Sequence, residues 1–365
     1  MSSEAPSTGT GMTARSRRAH WLAPVAACAL IAAACGGGQQ TGTLSPTAGG
    51  AQTAAPTPEG TGSPAATEAE SPSPAAEPEV STIRLGLLPL ADVAPVYLGQ
   101  AEGFFEGEGL TLEIQIVQGG AAAIPALVAG DLDITFGNYV SFFLASSQDV
   151  DLRIIAEQNR ATPGFSSIMT LPDSGISDPT ALEGKRLAVN TLANVAEITS
   201  RAQIKDAGGD PDAVEYIEIP FPDMIATLER GDVDAIFAVE PFATLATQQL
   251  QAVEVANPYG GRLEGFPVAG FQATTEFAEQ NPNTIAAFQR AMVNASQMAA
   301  DDPEAVVEIL PTYTTLTPEL AGTLKQPLYV SEIDVAELQT VVDLMVEFEL
   351  LTEPLDVNSL VIATP

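Results

Sequence analysis

Two stretches of this chain share one grammar. Arg84-Leu85-Gly86-Leu87-Leu88-Pro89-Leu90-Ala91-Asp92-Val93-Ala94 and Arg186-Leu187-Ala188-Val189-Asn190-Thr191-Leu192-Ala193-Asn194-Val195-Ala196 align at an offset of 102. Each opens on an arginine, runs through a short apolar stretch suited to a strand, and ends in a polar turn that starts a helix. A second phrase follows each copy: Leu127 to Phe136 answers Leu228 to Phe237 at an offset of 101, and both contain Gly-Asp-x-Asp. Two matches in the same order at nearly the same spacing imply two lobes of similar build. In open α/β sheets ligands bind beyond the carboxyl ends of the strands. Two lobes with facing strand-to-helix turns would therefore enclose a cleft.

The rest of the body keeps this rhythm. Strand-like runs are expected at 83–88, 112–117, 134–136, 152–157 and 167–171, then at 186–190, 214–219, 234–239 and 267–273. Helical runs are expected at 97–108, 121–129, 195–207 and 223–230, and over most of the chain after Pro282, in segments 284–300, 303–310, 318–325 and 335–350. Such alternation places the chain in the α/β class, each lobe a mixed sheet flanked by helices. The polar, proline-bearing stretch 172–181 and the Gly- and Pro-rich stretch 257–265 read as the two crossings. They divide the body into lobe one (81–172 and 266–365) and lobe two (173–265).

The residue inventory excludes much chemistry. The only histidine is His20, the only tryptophan is Trp21, and the cysteines are Cys28 and Cys35. The body therefore has no imidazole and no thiol, which removes Ser-His-Asp and Cys-His catalysis, zinc sites and disulfides from it. No cofactor or metal is implied. The Asp131/Asp133 and Asp232/Asp234 pairs look like metal ligands, but they lack further acids at calcium-loop spacing and read as turn and capping residues. The formal charge is −33, of which about −30 falls on the body. Such a surface repels nucleic acid and anionic lipid heads.

Ahead of the body lie two segments of different composition. Arg15-Ser16-Arg17-Arg18 is a basic start, Trp21 to Ala34 an apolar run of 14 residues, and Ala32-Ala33-Ala34-Cys35 its end. The run is short for a membrane span. The segment 1–34 resembles a bacterial lipoprotein signal that is cleaved before a lipidated Cys35, with Cys28 the rival position. A plain secretory signal is the alternative. Residues 35–80 are Gly, Ala, Pro, Ser, Thr and Glu, too poor in large apolar residues to form a core, and read as a flexible tether. Together these place the body outside the cytoplasm, anchored to the membrane by lipid.

The body itself carries a family's phrases. Tyr97-Leu98-Gly99-Gln100-Ala101-Glu102-Gly103-Phe104-Phe105 through Gly109-Leu110, Gly130-Asp131-Leu132-Asp133, Leu182-Glu183-Gly184-Lys185-Arg186, Gly231-Asp232-Val233-Asp234-Ala235 and Glu240-Pro241-Phe242 occur in that order. This series resembles the nitrate/sulfonate/taurine and thiamine-precursor substrate-binding proteins of ABC importers, over about residues 82–300. The resemblance implies a periplasmic-binding-protein type 2 fold that closes on a small molecule and delivers it to a membrane permease and its ATPase, as a monomer and without catalysis. A ligand-sensing receptor on the same fold is the second reading. A pyrimidine-precursor enzyme is the third, and it conflicts with a body that has no histidine.

Candidate ligand contacts follow from the strand ends. Asn190, Thr191 and Asn194 sit where a strand ends and a helix N-terminus offers N–H groups to an anion. Asn194 is equally an N-cap. Pro89, Leu90 and Asp92 form the matching turn of lobe one, where Asp92 either receives a ligand donor or caps a helix. Asn138 and Tyr139 follow the third strand, with Tyr139 against a ligand ring or in the core. Asn159 and Arg160 follow the fourth, with Arg160 in the cleft or in a surface ion pair. Glu240 ends the last strand of lobe two.

Overall fold

The computed structural model describes residues 76–365. The leader, Cys28, Cys35 and the tether up to residue 75 lie outside the described residues. The first part of the chain gives β1 (Thr82–Leu87), α1 (Ala94–Ala101), α2 (Phe104–Gly107), β2 (Thr111–Ile116), α3 (Gly120–Val128), β3 (Ile134–Asn138), α4 (Tyr139–Ser147) and β4 (Leu152–Arg160). The middle gives β5 (Ser166–Thr170), β6 (Arg186–Val189), α5 (Val195–Asp206), β7 (Glu215–Glu218), α6 (Phe221–Glu229), β8 (Ala235–Val239), α7 (Phe242–Leu250) and β9 (Val253–Ala256). The last part gives β10 (Pro267–Thr274), α8 (Thr275–Gln280), α9 (Pro282–Asp301), α10 (Pro303–Ile309), α11 (Pro318–Ala321), β11 (Leu328–Tyr329) and α12 (Val335–Glu347). None of the described helices is long and apolar enough to cross a membrane.

The strands form two sheets, in the orders β11-β4-β10-β3-β1-β2 and β7-β6-β8-β5-β9. The repeated sequence is a repeated structure. In each sheet the arginine-bearing strand lies between two parallel partners: β1 pairs with β2 and β3, and β6 pairs with β7 and β8. An antiparallel strand comes next in each, β10 beside β3 and β5 beside β8.

The acids of the Gly-Asp-x-Asp phrase hold these strands together. The Arg84 backbone N–H and Nε donate to Asp133 Oδ2 at 2.8 and 3.0 Å, and the Arg186 backbone N–H and Nε donate to Asp234 Oδ2 at 2.9 and 3.1 Å. Arg186 also reaches the Gly231 carbonyl at 2.9 Å. Charge-assisted, multidentate bonds of this kind are the stronger sort. Asp133 and Asp234 therefore clamp the start of one strand to the start of its neighbour, a more specific role than a turn or cap.

Four expectations need correction. The chain leaves the first sheet after Arg160 and enters the second at Ser166, so the first crossing is 161–165 and not 172–181. β5 pairs with β8 and β9, a long-range choice that the prolines at 172 and 179 do not report. The tether ends before residue 80, because Glu79 accepts from the N–H groups of Asn283 and Thr284 at 3.1 and 2.9 Å and so caps α9. Although desolvation opposes it, these bonds hold the Glu79 carboxyl below its usual range. The expected helix 97–108 is split at Gly103, which takes φ 75° in the left-handed region that favours glycine. Of the expected helix 318–325 only Pro318–Ala321 forms.

The return crossing spans 257–266, between β9 and β10. The two crossings touch: the Ala161 N–H donates to the Phe266 carbonyl at 2.9 Å. The C-terminal helices cover the first sheet, with Phe288 of α9 against Phe271 of β10 and Phe105 of α2 at ring separations of 5.3 and 5.8 Å.

Candidate functional site

Between the lobes lies a small, partly open cavity of about 40 Å³. Its walls come from both sheets at equivalent places. Leu88 and Asn190 line it and stand 102 residues apart, and Phe136 and Phe237 line it and stand 101 apart. Leu90, Val195, Ala196, Phe221, Val239, Val268 and Ala269 complete an apolar surround. The polar lining side chains are Asp92, Asn138, Asn190 and Tyr259. At about 10–15 Å³ per water-sized probe, the cavity holds on the order of three small heavy groups.

Four helices begin on this cavity. Gly120 opens α3, Asn138 caps α4, Val195 and Ala196 open α5, and Phe221 opens α6. Helix N-termini present N–H groups and partial positive charge, so together they favour an acceptor or anion. Gly120 and Gly137 make the close approach of α3 to β3 possible. A side chain on Gly120 would meet the Gly137 Cα at 2.9 Å. Across the cleft, a side chain on Gly119 would meet Asn190 Nδ2 at 3.0 Å and the Thr191 methyl at 3.1 Å. That is how tightly the lobes meet.

The second-lobe turn is held from within. Asn194, fully buried, caps α5 by accepting from the Glu197 N–H at 3.2 Å. Its Nδ2 donates to Asn190 Oδ1 at 2.7 Å and to Thr191 Oγ1 at 2.9 Å. This fixes Asn190 with its own Nδ2 turned towards the first lobe. Leu192 and Ala193 donate their N–H groups to Glu218 and Glu197 at 3.0 and 2.8 Å. Asn194 thus holds the turn from behind Asn190, and Thr191 meets Gly119 of the first lobe without lining the cavity.

The first-lobe turn is held more firmly still. The carbonyls of Leu90, Ala91 and Asp92 accept from Tyr313 Oη at 3.0 Å, Tyr329 Oη at 2.8 Å and Gln158 Nε2 at 3.0 Å. The Ala91 N–H donates across the lobes to the Glu240 carbonyl at 3.0 Å. Asn159 Nδ2 donates to Asp92 Oδ2 at 3.0 Å, so Asn159 supports Asp92 from β4 and does not itself line the cavity. Burial pushes the Asp92 carboxyl up to about 7, and the bonds from its own backbone N–H and from Asn159 offset only part of that.

Four expected contacts lie elsewhere. Pro89 lines a separate surface pocket with Pro222, Phe242 and Tyr313. Tyr139 is fully buried in the first lobe, where its hydroxyl lies against Gly270 of β10 and its ring packs on Phe143. Arg160 lines a separate surface pocket with Ser331 and Asp334 and pairs with Glu157 at 2.9 Å. Glu240 caps α7, accepting from the Thr244 N–H at 3.0 Å and Thr244 Oγ1 at 2.9 Å. Burial raises the Glu240 carboxyl to about 7, but the group faces a second surface pocket with Lys325. The wall residues Phe136 and Phe237 were absent from the expected set, although the repeat pairs them. Tyr259 was absent too, hidden in the Gly- and Pro-rich crossing.

Residues 91–306, well over half of the chain, match the model of the NMT1/THI5-like family. The taurine-binding periplasmic protein of Escherichia coli is 28% identical over 213 residues, which cover 58% of this chain and 64% of that protein. The nitrate/nitrite binding protein NrtA of a Nostoc species is 24% identical over 259 residues, covering 63% of this chain and 58% of that protein. The chain therefore spans less than two thirds of the length of these relatives. The solved alkanesulfonate-binding protein SsuA of Xanthomonas axonopodis pv. citri, bound to MOPS, shares the fold at a TM-score of 0.67 and 18% identity, over 78% of this chain and 99% of that one. The matched stretch begins in the turn beside the cavity and takes in strands of both sheets, and by it the chain belongs to the NMT1/THI5-like family.

Proposed function

We propose that this chain is the substrate-binding lipoprotein of an ABC importer: it captures a small molecule between its lobes and presents it to a membrane permease served by an ATPase. The observation that carries this reading is the cavity between the lobes, walled by equivalent residues of two like lobes and lined at the starts of four helices. Two adjacent crossings supply a hinge, the usual device of such closure. Relatives named for taurine and for nitrate support a small ligand with an oxyanion. A body without histidine or cysteine supports binding without catalysis. Lipid on Cys35 and the tether would keep the receptor near its permease and raise its effective concentration there.

The test is ligand binding by the full chain to taurine, an alkanesulfonate, nitrate and an aminopyrimidine. A true ligand at about a hundredfold excess over its Kd raises the melting temperature by about 5 °C and lowers the radius of gyration in small-angle scattering. A tight ligand that alters neither argues against a hinged receptor. For the anchor, Cys35→Ser releases the protein from the membrane fraction; unchanged attachment, or release by Cys28→Ser instead, overturns that assignment.

A further inference from the structure

We propose that Asp92 and Tyr259 form a donor-reading pair in the cavity, so that the site takes a small molecule carrying an amine-type N–H beside an oxyanion or carbonyl acceptor and discriminates against the bare oxyanion. The inference rests on the binding-protein reading and deepens it by naming the ligand's chemistry.

Both residues line the cavity, Asp92 from the first-lobe turn and Tyr259 from the return crossing. Both are buried, and Asp92 Oδ1 and Tyr259 Oη have no hydrogen-bond partner among the described residues. Buried polar atoms are nearly always paired, so two orphans on one cavity call for an explanation. Within the protein the Asp92 carboxyl is satisfied only in part, by its own backbone N–H and by Asn159. Its other oxygen is held by Asn159, and the three carbonyls of its turn are held by Tyr313, Tyr329 and Gln158. Oδ1 is the atom left over, and an ionised carboxylate can only accept.

The charge around the site points the same way. No Lys or Arg is among the lining residues. Arg160, the cation expected there, is committed to Glu157. The other titratable groups near Asp92 are Tyr259, Tyr313 and Tyr329, all held neutral because burial raises their hydroxyls far above their usual range. Asp92 is therefore the one carboxylate facing the ligand, with no counterion in the wall. Above pH 7, where Asp92 is ionised, a bare oxyanion would gain the helix N-termini but meet Asp92 unpaired. A molecule with both ends satisfies the N-termini with its acceptor and Asp92 with its donor, and Tyr259 Oη can bond to either. Because burial raises Asp92 to about 7, an ammonium ligand must displace a proton below that pH, and its affinity weakens there.

Calorimetry with the full chain compares taurine with ethanesulfonate, 4-aminopyrimidine with pyrimidine, and nitrate, at pH 8 and pH 6. In one pair or both, the amine compound binds at least about tenfold tighter than its deaminated counterpart at pH 8. Asp92→Asn weakens that amine about 10- to 100-fold and thereby narrows or abolishes its advantage over the deaminated compound. Lowering the pH from 8 to 6 weakens taurine, where it is the ligand, about tenfold in the native chain and not in Asp92→Asn. Tyr259→Phe, which keeps the ring, weakens the amine less. The pH arm on the native chain stands even if a variant misfolds. Equal binding of amine and deaminated compounds, or tight nitrate binding indifferent to Asp92→Asn, overturns the donor-reading pair while leaving a receptor. Failure of every compound to bind overturns the receptor reading, and this inference with it.

Discussion

Asp92 is a carboxylate that folding makes hard to ionise, and that has a measurable consequence apart from any ligand. Burial raises it from the usual 3.8 to about 7. A raised folded-state value means that the native state holds the proton more tightly than the unfolded chain. Its contribution to stability is complete below about pH 4 and is lost as pH rises through 7. A shift of about three pH units corresponds to a loss on the order of 4 kcal/mol by pH 8. Asp92→Asn keeps the shape and the Asn159 bond and abolishes this titration. The variant is expected to melt several degrees above the native chain at pH 8 and to match it below about pH 4, while binding its ligand more weakly. Identical melting curves of the two proteins across that range would mean that Asp92 is not a buried, titrating group. The same residue shows what could be read from sequence. Its place at a strand end was visible, as were those of Leu90, Asn138 and Asn190. Its buried state was not, because the tyrosines that seal it lie more than 200 residues further on. Tyr139 and Glu240 stood at equally suitable strand ends and point away, since which face a side chain takes is set by packing across the sheet.

At the scale of elements, what the sequence reveals depends on how local the cause is. The strand β1 and the helix α5 follow from short apolar runs and a cap, and both stand within a residue or two of expectation. The repeat located β1 with β6 and β3 with β8, and the arginine and acid at their starts proved to be a clamp in each lobe. The helices α4 and α7 went unread: they start at the strand ends themselves, α4 on the Asn138 cap and α7 after Glu240-Pro241, and polar residues there suit a ligand-facing turn and a helix start equally well. The crossing at 161–165 went unread for another reason. Nothing within Ser166–Thr170 says whether it pairs with β10 or β8; that choice is made by residues some 70 positions away. Sequential strands usually lie near one another, and here that tendency fails at the boundary between lobes.

At the scale of the molecule, closure depends on contacts far from the cavity as well as within it. Glu347, the last residue of α12 in the first lobe, accepts from Arg262 Nη1 and Nη2 at 2.6 and 3.0 Å and from Lys205 Nζ of α5 at 3.1 Å. Arg262 sits in the return crossing and also pairs with Asp206 at 2.8 Å, and Lys205 lies 5.0 Å from the ring of Phe348. One carboxylate thus ties the second lobe and the crossing to the first lobe. Single exposed ion pairs contribute about 0–1 kcal/mol, but a bidentate arginine within a network contributes at the upper end. The bonds from Arg262 hold the Glu347 carboxyl below its usual range, with Lys205 adding to them. The sign follows: the tie is complete at neutral pH and is lost only as pH falls through that lowered value. A ligand that binds only the closed form is weakened by whatever favours the open one. Glu347→Gln is therefore expected to enlarge the radius of gyration of the ligand-free chain and to weaken its ligand a few-fold, with no change in the cavity. Raising the salt from about 0.05 to 0.5 M should reproduce part of that loss in the native chain and little of it in the variant, because screening acts on a network only the native chain has. If scattering and affinity are the same in both proteins at both salts, the Glu347 tie does not contribute to closure.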